Sequence, residues 1–591
     1  MISSFPVSEK LHSGFARNRY HWFGWLLAAL IVTVIATQET YNTRSDPRGT
    51  LLVSQALAQH GTLKLDTYGK PLLDSYGYVI QHKAGHFYHY FPLGTALLSS
   101  PFVAVANALG FDMTRDEHLV QMVLTALAAL LIAFILYRTA RLYLPRTPSL
   151  LLTGLCWFGS SLASTVGTAL WSHDFALVFS SAAIFLLLSR PVQTPGSATQ
   201  VVAPQPVSHR PRERLRPLLI GACLFLAYLC RPTLALLAPF LLLYYFIQDR
   251  KSSLLAALTL GLLLLAFMGW SIGEFAQILP DYYLPKRLEG GEFATALYAN
   301  LLSPARGLLI FSPFIAVSLF LTLVLAVRNK ALLSLSLISL AWPTAHLLSI
   351  SQFPHWWAGW SFGPRLMVDA LPGLYVGLFS ALGALRQRRR LAYAALLGSG
   401  LLAIHINTYQ ALFNPYGMHW NVEPNVDLYP EYLFDWRYPQ FLHNQARHER
   451  RLSEFYSQQL PKITGLINVS YDSEQAAFDG FYELEPGFRW SEGHAAKLHL
   501  VLDEQTQQAL RGEIELLAGF LDKQRLLIGL NGEQVYSGKF YGGEREIRFQ
   551  VPPELFRTGL NTFTFQLPDA HKPASADPRI LAMAFRKLSI R

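Results

Sequence analysis

The chain has 591 residues, 51% of them hydrophobic and only 15% charged, against roughly 25% charged in an ordinary soluble domain. A single soluble globule is thereby excluded, and 13% aromatic content excludes a chain unable to bury surface. Residues 1–411 carry 30 Lys/Arg and 16 Asp/Glu, a net +14, while the remaining 180 residues carry 19 and 23, a net −4. The basic excess therefore belongs to the apolar part, where Lys and Arg set membrane topology rather than mark a nucleic-acid footprint.

Lys10, Arg17 and Arg19 precede an apolar run from Trp22 to Thr37. Its far end, Ala36-Thr37-Gln38-Glu39, lacks a small-residue cleavage pattern and reads as a retained anchor. Runs long enough to cross about 30 Å of hydrocarbon then recur. They fall near 22–37, 118–137, 149–165, 174–189, 217–230, 233–247, 254–272, 307–327, 331–349, 366–385 and 391–411, which makes eleven crossings. A further apolar segment, Pro92 to Gly110, is interrupted by Gly94 and Pro101 and reads as an interfacial helix.

With a cytoplasmic N-terminus, the inside loops of this arrangement hold 19 basic residues against three acidic ones, as the positive-inside rule requires. Two crossings meeting at Arg231-Pro232 fit that rule better than one merged helix. Residues 38–117, 273–306, 350–365 and everything after 411 then lie outside the cytoplasm. The inside loops contain neither a GxxxxGK[ST] nor a GxGxxG phosphate cradle, which disfavours nucleotide chemistry there. Cys156, Cys223 and Cys230 all sit in apolar stretches and build no disulfide framework or thiolate metal site.

The organisation expected is a membrane domain over 1–411, a helical linker over 412–477 and a β-sandwich over 478–591. The β assignment rests on alternating runs from 497 to 590 and on Asn531-Gly532, a strong type I′ hairpin signal between two of them. Such a module either binds carbohydrate or supports the membrane part.

Chemistry is expected on the outside. In the first loop Asp46 lies between Arg44 and Arg48, just beyond the first crossing. Asp46-Pro47 is also good turn chemistry, with the arginines as ion-pair or headgroup contacts. Lys83 follows in a polar hairpin-like stretch with His82, His86 and His89. His173-Asp174 starts the fourth crossing, Arg231 occupies a helix–helix turn, and Arg306 lies in Ser303–Gly307. The 355–365 segment HWWAGWSFGPR holds Trp360 and ends in Arg365. Ionisable groups at helix ends facing a cavity are candidate sites, whereas the tryptophans also suit an interfacial belt.

These features together resemble the GT-C superfamily of polytopic glycosyltransferases, which includes protein O-mannosyltransferases, lipid A aminoarabinose transferases and mycobacterial arabinofuranosyltransferases. The likeness lies in the cytoplasmic N-terminus, the long first outside loop with an early acid, the interface helix and the arginine-bearing late loop. Ser303–Phe314 (SPARGLLIFSPF) and 359–371 (GWSFGPRLMVDAL) look like signatures of bacterial members, and 478–490 looks like their appended β domain.

What the resemblance implies is a bacterial plasma-membrane enzyme that takes a sugar from a polyprenyl-phosphate donor to an extracytoplasmic glycan, lipid or protein. Asp46 would match the base that deprotonates the acceptor as it attacks with inversion. Arg306, Arg365, Arg231 or Lys83 would neutralise the leaving phosphate, which needs no carboxylic acid to depart. Glu39 is the alternative acid. No cofactor is demanded, although Asp46, Asp174 and nearby histidines offer ligands to a divalent metal. Two other classes accommodate the same features: a transporter or flippase of lipid-linked substrate, and a noncatalytic glycan-assembly scaffold.

Overall fold

In the computed structural model the described residues are 8–38, 46–189, 212–385, 389–573 and 579–591. The chain divides into a helical unit, Met1–His443, and a second unit, Asn444–Arg591.

All eleven apolar segments of the sequence lie on helix. Among the described residues five helices are long and apolar enough to cross a membrane: Met113–Ala140, Arg250–Phe275, Lys330–Ile350, Arg365–Ala384 and Arg390–Phe413. Arg250–Phe275 has a mean hydropathy of 2.1 although only 17% of its apolar window is buried, so its leucines face outwards as they would towards lipid. Arg365–Ala384 is the opposite case, 94% buried at the centre of the unit. The chain breaks helix at Arg231, extended between Arg212–Cys230 and the 3-10 turn Pro232–Leu236.

The interrupted segment after Pro92 forms one helix, Leu93–Ala108, with Pro101 inside it and Phe102 and Val105 exposed. Gly94 lets this helix reach the backbone around Cys230, where a Cβ would come within 2.6 Å. Ahead of it, helix Thr50–His60 and the hairpin Ile80–Lys83/His86–His89 form the first loop.

The second unit starts with the amphipathic helix Gln445–Gln459 and is otherwise β-rich. Two pairs of runs that alternate separately in sequence fuse into two 18-residue strands, Glu513–Leu530 and Glu533–Gln550. Their link is Asn531-Gly532, with φ of 52° and 94°, as a type I′ turn demands. Instead of two separate sheets, the strands join in one nine-stranded network. The first half of Glu513–Leu530 pairs with Met583–Ile590 and its second half with Gly559–Gln566. The register slips between Phe520 and Lys523, the kind of irregularity by which a strand turns a corner between two layers. The core between them is apolar, built from Leu516, Ile528, Phe563, Phe565 and Phe585 among others.

Candidate functional site

Asp46 opens the turn that leads into helix Thr50–His60, and its backbone is held from several sides. Glu117 accepts hydrogen bonds from the backbone N–H of Gly49 and of Leu51, both at 3.0 Å, and so caps that helix. Gln121 donates to the Pro47 carbonyl at 2.7 Å and to Glu117 at 3.1 Å. The His89 Nε2–H donates to the Arg48 carbonyl at 3.0 Å. Burial pushes the His89 imidazole down to about 4, so the ring is neutral at physiological pH and serves as a fixed donor. Gly49 has φ 80°, and a side chain there would press on the Tyr76 ring at 3.2 Å.

So placed, the Asp46 carboxylate lines a cavity of about 1100 Å³ that Arg231, Arg365 and Trp171 also line. Arg365 Nη2 donates to Asp46 Oδ2 at 3.3 Å, with both side chains 12% exposed. The Arg365 guanidinium lies 4.3 Å from the centre of the Trp171 ring, and its buried Nε–H has no partner among the described residues. Its Nη groups make one described hydrogen bond, to Asp46, so Arg365 keeps donors there for an incoming anion.

Behind the second arginine is a buried carboxylate. Asp369 accepts from Arg231 Nε at 3.4 Å and from the Thr233 hydroxyl at 3.3 Å, and pairs with His173 Nδ1 at 2.7 Å. Asp369 and His173 are both fully buried, whereas Arg231 reaches the cavity. Arg231 is held by Asp369 at Nε and by the Ser172 hydroxyl at Nη1, while Thr233 steadies the same Asp369 carboxylate.

The other sequence candidates fall differently. Arg306 is 1% exposed and spends all five of its donors inside the protein. Nε bonds the Trp357 carbonyl; Nη1 bonds Ala305 O and Gln440 Oε1; Nη2 bonds Gly359 O and Asn421 Oδ1. All five Arg306 donors are thus satisfied within the protein, two of them on carbonyls of the 355–365 loop. Lys83 is likewise taken up by Asp281 at 2.7 Å and lies off the cavity. Arg48 donates to the Ser75 carbonyl and packs on the Tyr76 ring, securing the first loop rather than facing the cavity. Asp174 is buried away from the cavity lining. Trp360 lines the cavity and is 42% exposed. Arg44 and Glu39 lie outside the described residues.

Two cavity groups, Asp427 and Arg287, and the buried Asp369 behind the cavity wall were not singled out from sequence as site residues. Asp427 takes the Trp357 indole N–H at 2.7 Å and pairs with His355 at 3.2 Å; the His355 hydrogen bond holds its carboxyl below the ordinary range. Arg287 stacks 3.7 Å over the Tyr282 ring. Asp369 sits inside the apolar stretch LMVDAL, where a lone acid in a membrane-length run was the available signal. Among the described residues no three His, Cys, Asp or Glu side chains gather as a metal-holding group.

No protein-family profile and no curated protein matches the chain. Its structure is similar to that of the Archaeoglobus fulgidus oligosaccharyltransferase tethered to an acceptor peptide carrying the NVT sequon. The two share 14% identity over 72% of this chain and 60% of that one, with a TM-score of 0.42. It is also similar to the same organism's oligosaccharyltransferase AglB in complex with an inhibitory peptide and a dolichol-phosphate. There the identity is 12%, the coverage 73% and 61%, and the TM-score 0.43. The apo form gives 13%, 71% and 61%, and 0.41. The chain thus spans about three fifths of the length of these structures.

Proposed function

We propose that the chain is a membrane-embedded, GT-C-type inverting glycosyltransferase, moving a sugar from a polyprenyl-phosphate donor to an extracytoplasmic acceptor of the bacterial cell envelope. The observation that carries this reading is one carboxylate, Asp46, paired with one arginine, Arg365, on the wall of a large cavity that a second arginine, Arg231, also lines.

In this scheme Arg365 and Arg231 bind the lipid phosphate, and Asp46 takes the proton of the acceptor hydroxyl. The hydroxyl oxygen bonds to the anomeric carbon from the face opposite the phosphate, and the bond from that carbon to the phosphate oxygen breaks. The departing phosphate is an anion of low basicity, so it needs neutralising charge rather than a proton. Arg365 supplies that charge from a site only 12% exposed, where a guanidinium acts far more strongly than in water. Arg306, whose donors are spent within the protein, and Lys83, paired with Asp281 off the cavity, take no part.

A flippase of lipid-linked substrate would also use a cavity of this size, and the two are separated by whether a new glycosidic bond forms. The test is a mass-spectrometric comparison of cell-envelope glycans from cells that lack the protein, carry it, or carry Asp46→Asn. A glycan present only with the unaltered protein supports the transferase. The same glycan in normal amount with the Asn form, expressed at the normal level, overturns Asp46 as base.

A further inference from the structure

We propose that His355, Trp360 and Asp427 form the acceptor subsite at the mouth of the cavity, and that the acceptor they receive is a carbohydrate. This rests on the transferase reading and narrows its acceptor, which the site at Asp46 alone leaves open.

The three side chains line the same cavity as Asp46 and are more exposed than its 12%, Trp360 at 42% and the His355 and Asp427 side chains at 43% and 37%. They are also fixed. Asp427 Oδ1 holds both the Trp357 indole N–H and the His355 ring, while Oδ2 has no hydrogen bond among the described residues. His355 in turn packs on Trp357 with ring centres 4.2 Å apart. The Trp360 indole N–H is committed to Asn425 Oδ1 at 3.1 Å, which leaves the ring faces for contact.

The loop that carries them is built rather than loose. Ala358 and Gly359 take consecutive left-handed conformations, φ 60° and 63°, and the first is costly for a residue with a side chain. It persists because buried groups clamp the loop on both sides. Arg306 holds the carbonyls of Trp357 and Gly359, and Asn421 and Gln440 both donate to that of Ser361. A buried arginine that spends two donors on this loop, and two more on the Gln440 and Asn421 side chains that also hold it, is explained by the need to present the loop in one shape.

A pyranose ring suits such a mouth for two reasons at once. Its C–H faces are apolar and pack on an indole, and its hydroxyls donate to a carboxylate oxygen and bond an imidazole. A lipid acceptor would use neither polar group. An extended peptide would look for a row of unpaired backbone groups, whereas the carbonyls of Trp357, Gly359 and Ser361 are all spoken for.

The experiment is saturation-transfer NMR on the full chain in lipid nanodiscs. The probes are the methyl glycosides of glucose, galactose and mannose, with an acetylated, amidated Ala-Thr-Ala tripeptide as the competing class. Pyranose C–H signals should saturate for at least one glycoside. Trp360→Ala and Asp427→Asn should each weaken that binding about tenfold, and Trp360→Phe should restore most of it. Asp46→Asn should leave it unchanged while abolishing transfer. Saturation of the tripeptide with loss in the same variants, glycoside binding indifferent to them, or no glycoside binding at all would each overturn the subsite. Glycoside binding that behaves as expected, with no envelope glycan dependent on the protein, would instead overturn the transferase and leave the subsite standing.

Discussion

The helical unit and the β strands of the second unit place their paired arginines differently. In the helical unit Arg306, Arg231 and Asp369 are 1%, 6% and 0% exposed, and each is held by several partners. In the β-rich unit Arg525, Arg548, Arg579 and Arg586 pair with carboxylates while their side chains stay at least 31% exposed, and the buried arginine there, Arg451 at 1%, lies on the helix that precedes the strands. Since removing a charge from water costs several kcal/mol unless it is paired and hydrogen-bonded, the buried set marks where the fold accepts that cost for something other than solubility. Arg231 lines the cavity, Asp369 backs Arg231, and Arg306 holds the loop that carries Trp360. Four substitutions test the contrast, taken here from the largest expected effect to the smallest.

Asp46→Asn keeps the size of the side chain and can keep a contact with Arg365, but it cannot accept a hydroxyl proton. Turnover should fall about 10²–10⁴-fold with folding intact. Purified protein given a polyprenyl-phosphate sugar and its acceptor would check this, and transfer at the normal rate would return Asp46 to the role of a turn residue.

Asp369→Asn should cost stability as well as activity. It strips the negative charge from a group on which Arg231 and His173 both depend, and breaking a buried pair costs about 3–5 kcal/mol. The melting temperature in detergent, read by intrinsic fluorescence, should drop clearly. An unchanged transition would mean that the buried cluster does not brace Arg231.

Glu117→Gln should act more locally. One of the two oxygens that accept the Gly49 and Leu51 N–H groups becomes an amide nitrogen, so a helix-capping hydrogen bond worth about 1–3 kcal/mol is lost. With Asp46 misplaced rather than removed, kcat should fall about tenfold with little change in the acceptor KM. Equal losses in kcat and in folded protein would assign Glu117 to stability alone.

The fates of the arginines show what a sequence conveys about such a site. The apolar runs, the helix break at Arg231, the first-loop helix and the Asn531-Gly532 hairpin follow from local rules of length, hydropathy and turn chemistry, and they are legible residue by residue. Arg306 and Arg365 stand in similar surroundings, each beside glycine and proline near a helix start. Arg365 reaches Asp46 across 319 positions, while Arg306 is consumed by Gln440 and Asn421, which are 134 and 115 positions away. Their roles are decided by tertiary partners that no local pattern encodes. Asp369 was hidden for the same reason, since its partners His173 and Arg231 are 196 and 138 positions distant. The fusion of alternating runs into two long strands was illegible because a register slip at Phe520–Lys523 looks, in sequence, like a turn.

The smallest effect is expected on the other side of the comparison, at Arg525 and Asp569. Asp569 takes two hydrogen bonds from the guanidinium, at 2.8 Å each, and one from the Arg525 backbone N–H at 2.9 Å. The Arg525 hydrogen bond holds the Asp569 carboxyl down at about 2. Because the folded value lies below the ordinary 3.8, the pair favours the folded state above that ordinary value and loses its contribution as pH falls towards 2. Both groups stand in solvent, however, where screening and side-chain entropy offset most of the attraction. Asp569→Asn should therefore leave the melting transition at pH 7 unchanged within error. What should change is the acid limb: the difference between the two proteins, already small at pH 5, should vanish by about pH 2. A loss at neutral pH as large as that of Asp369→Asn would break the contrast between the units, because a solvent-exposed pair would then be as costly to remove as a buried one.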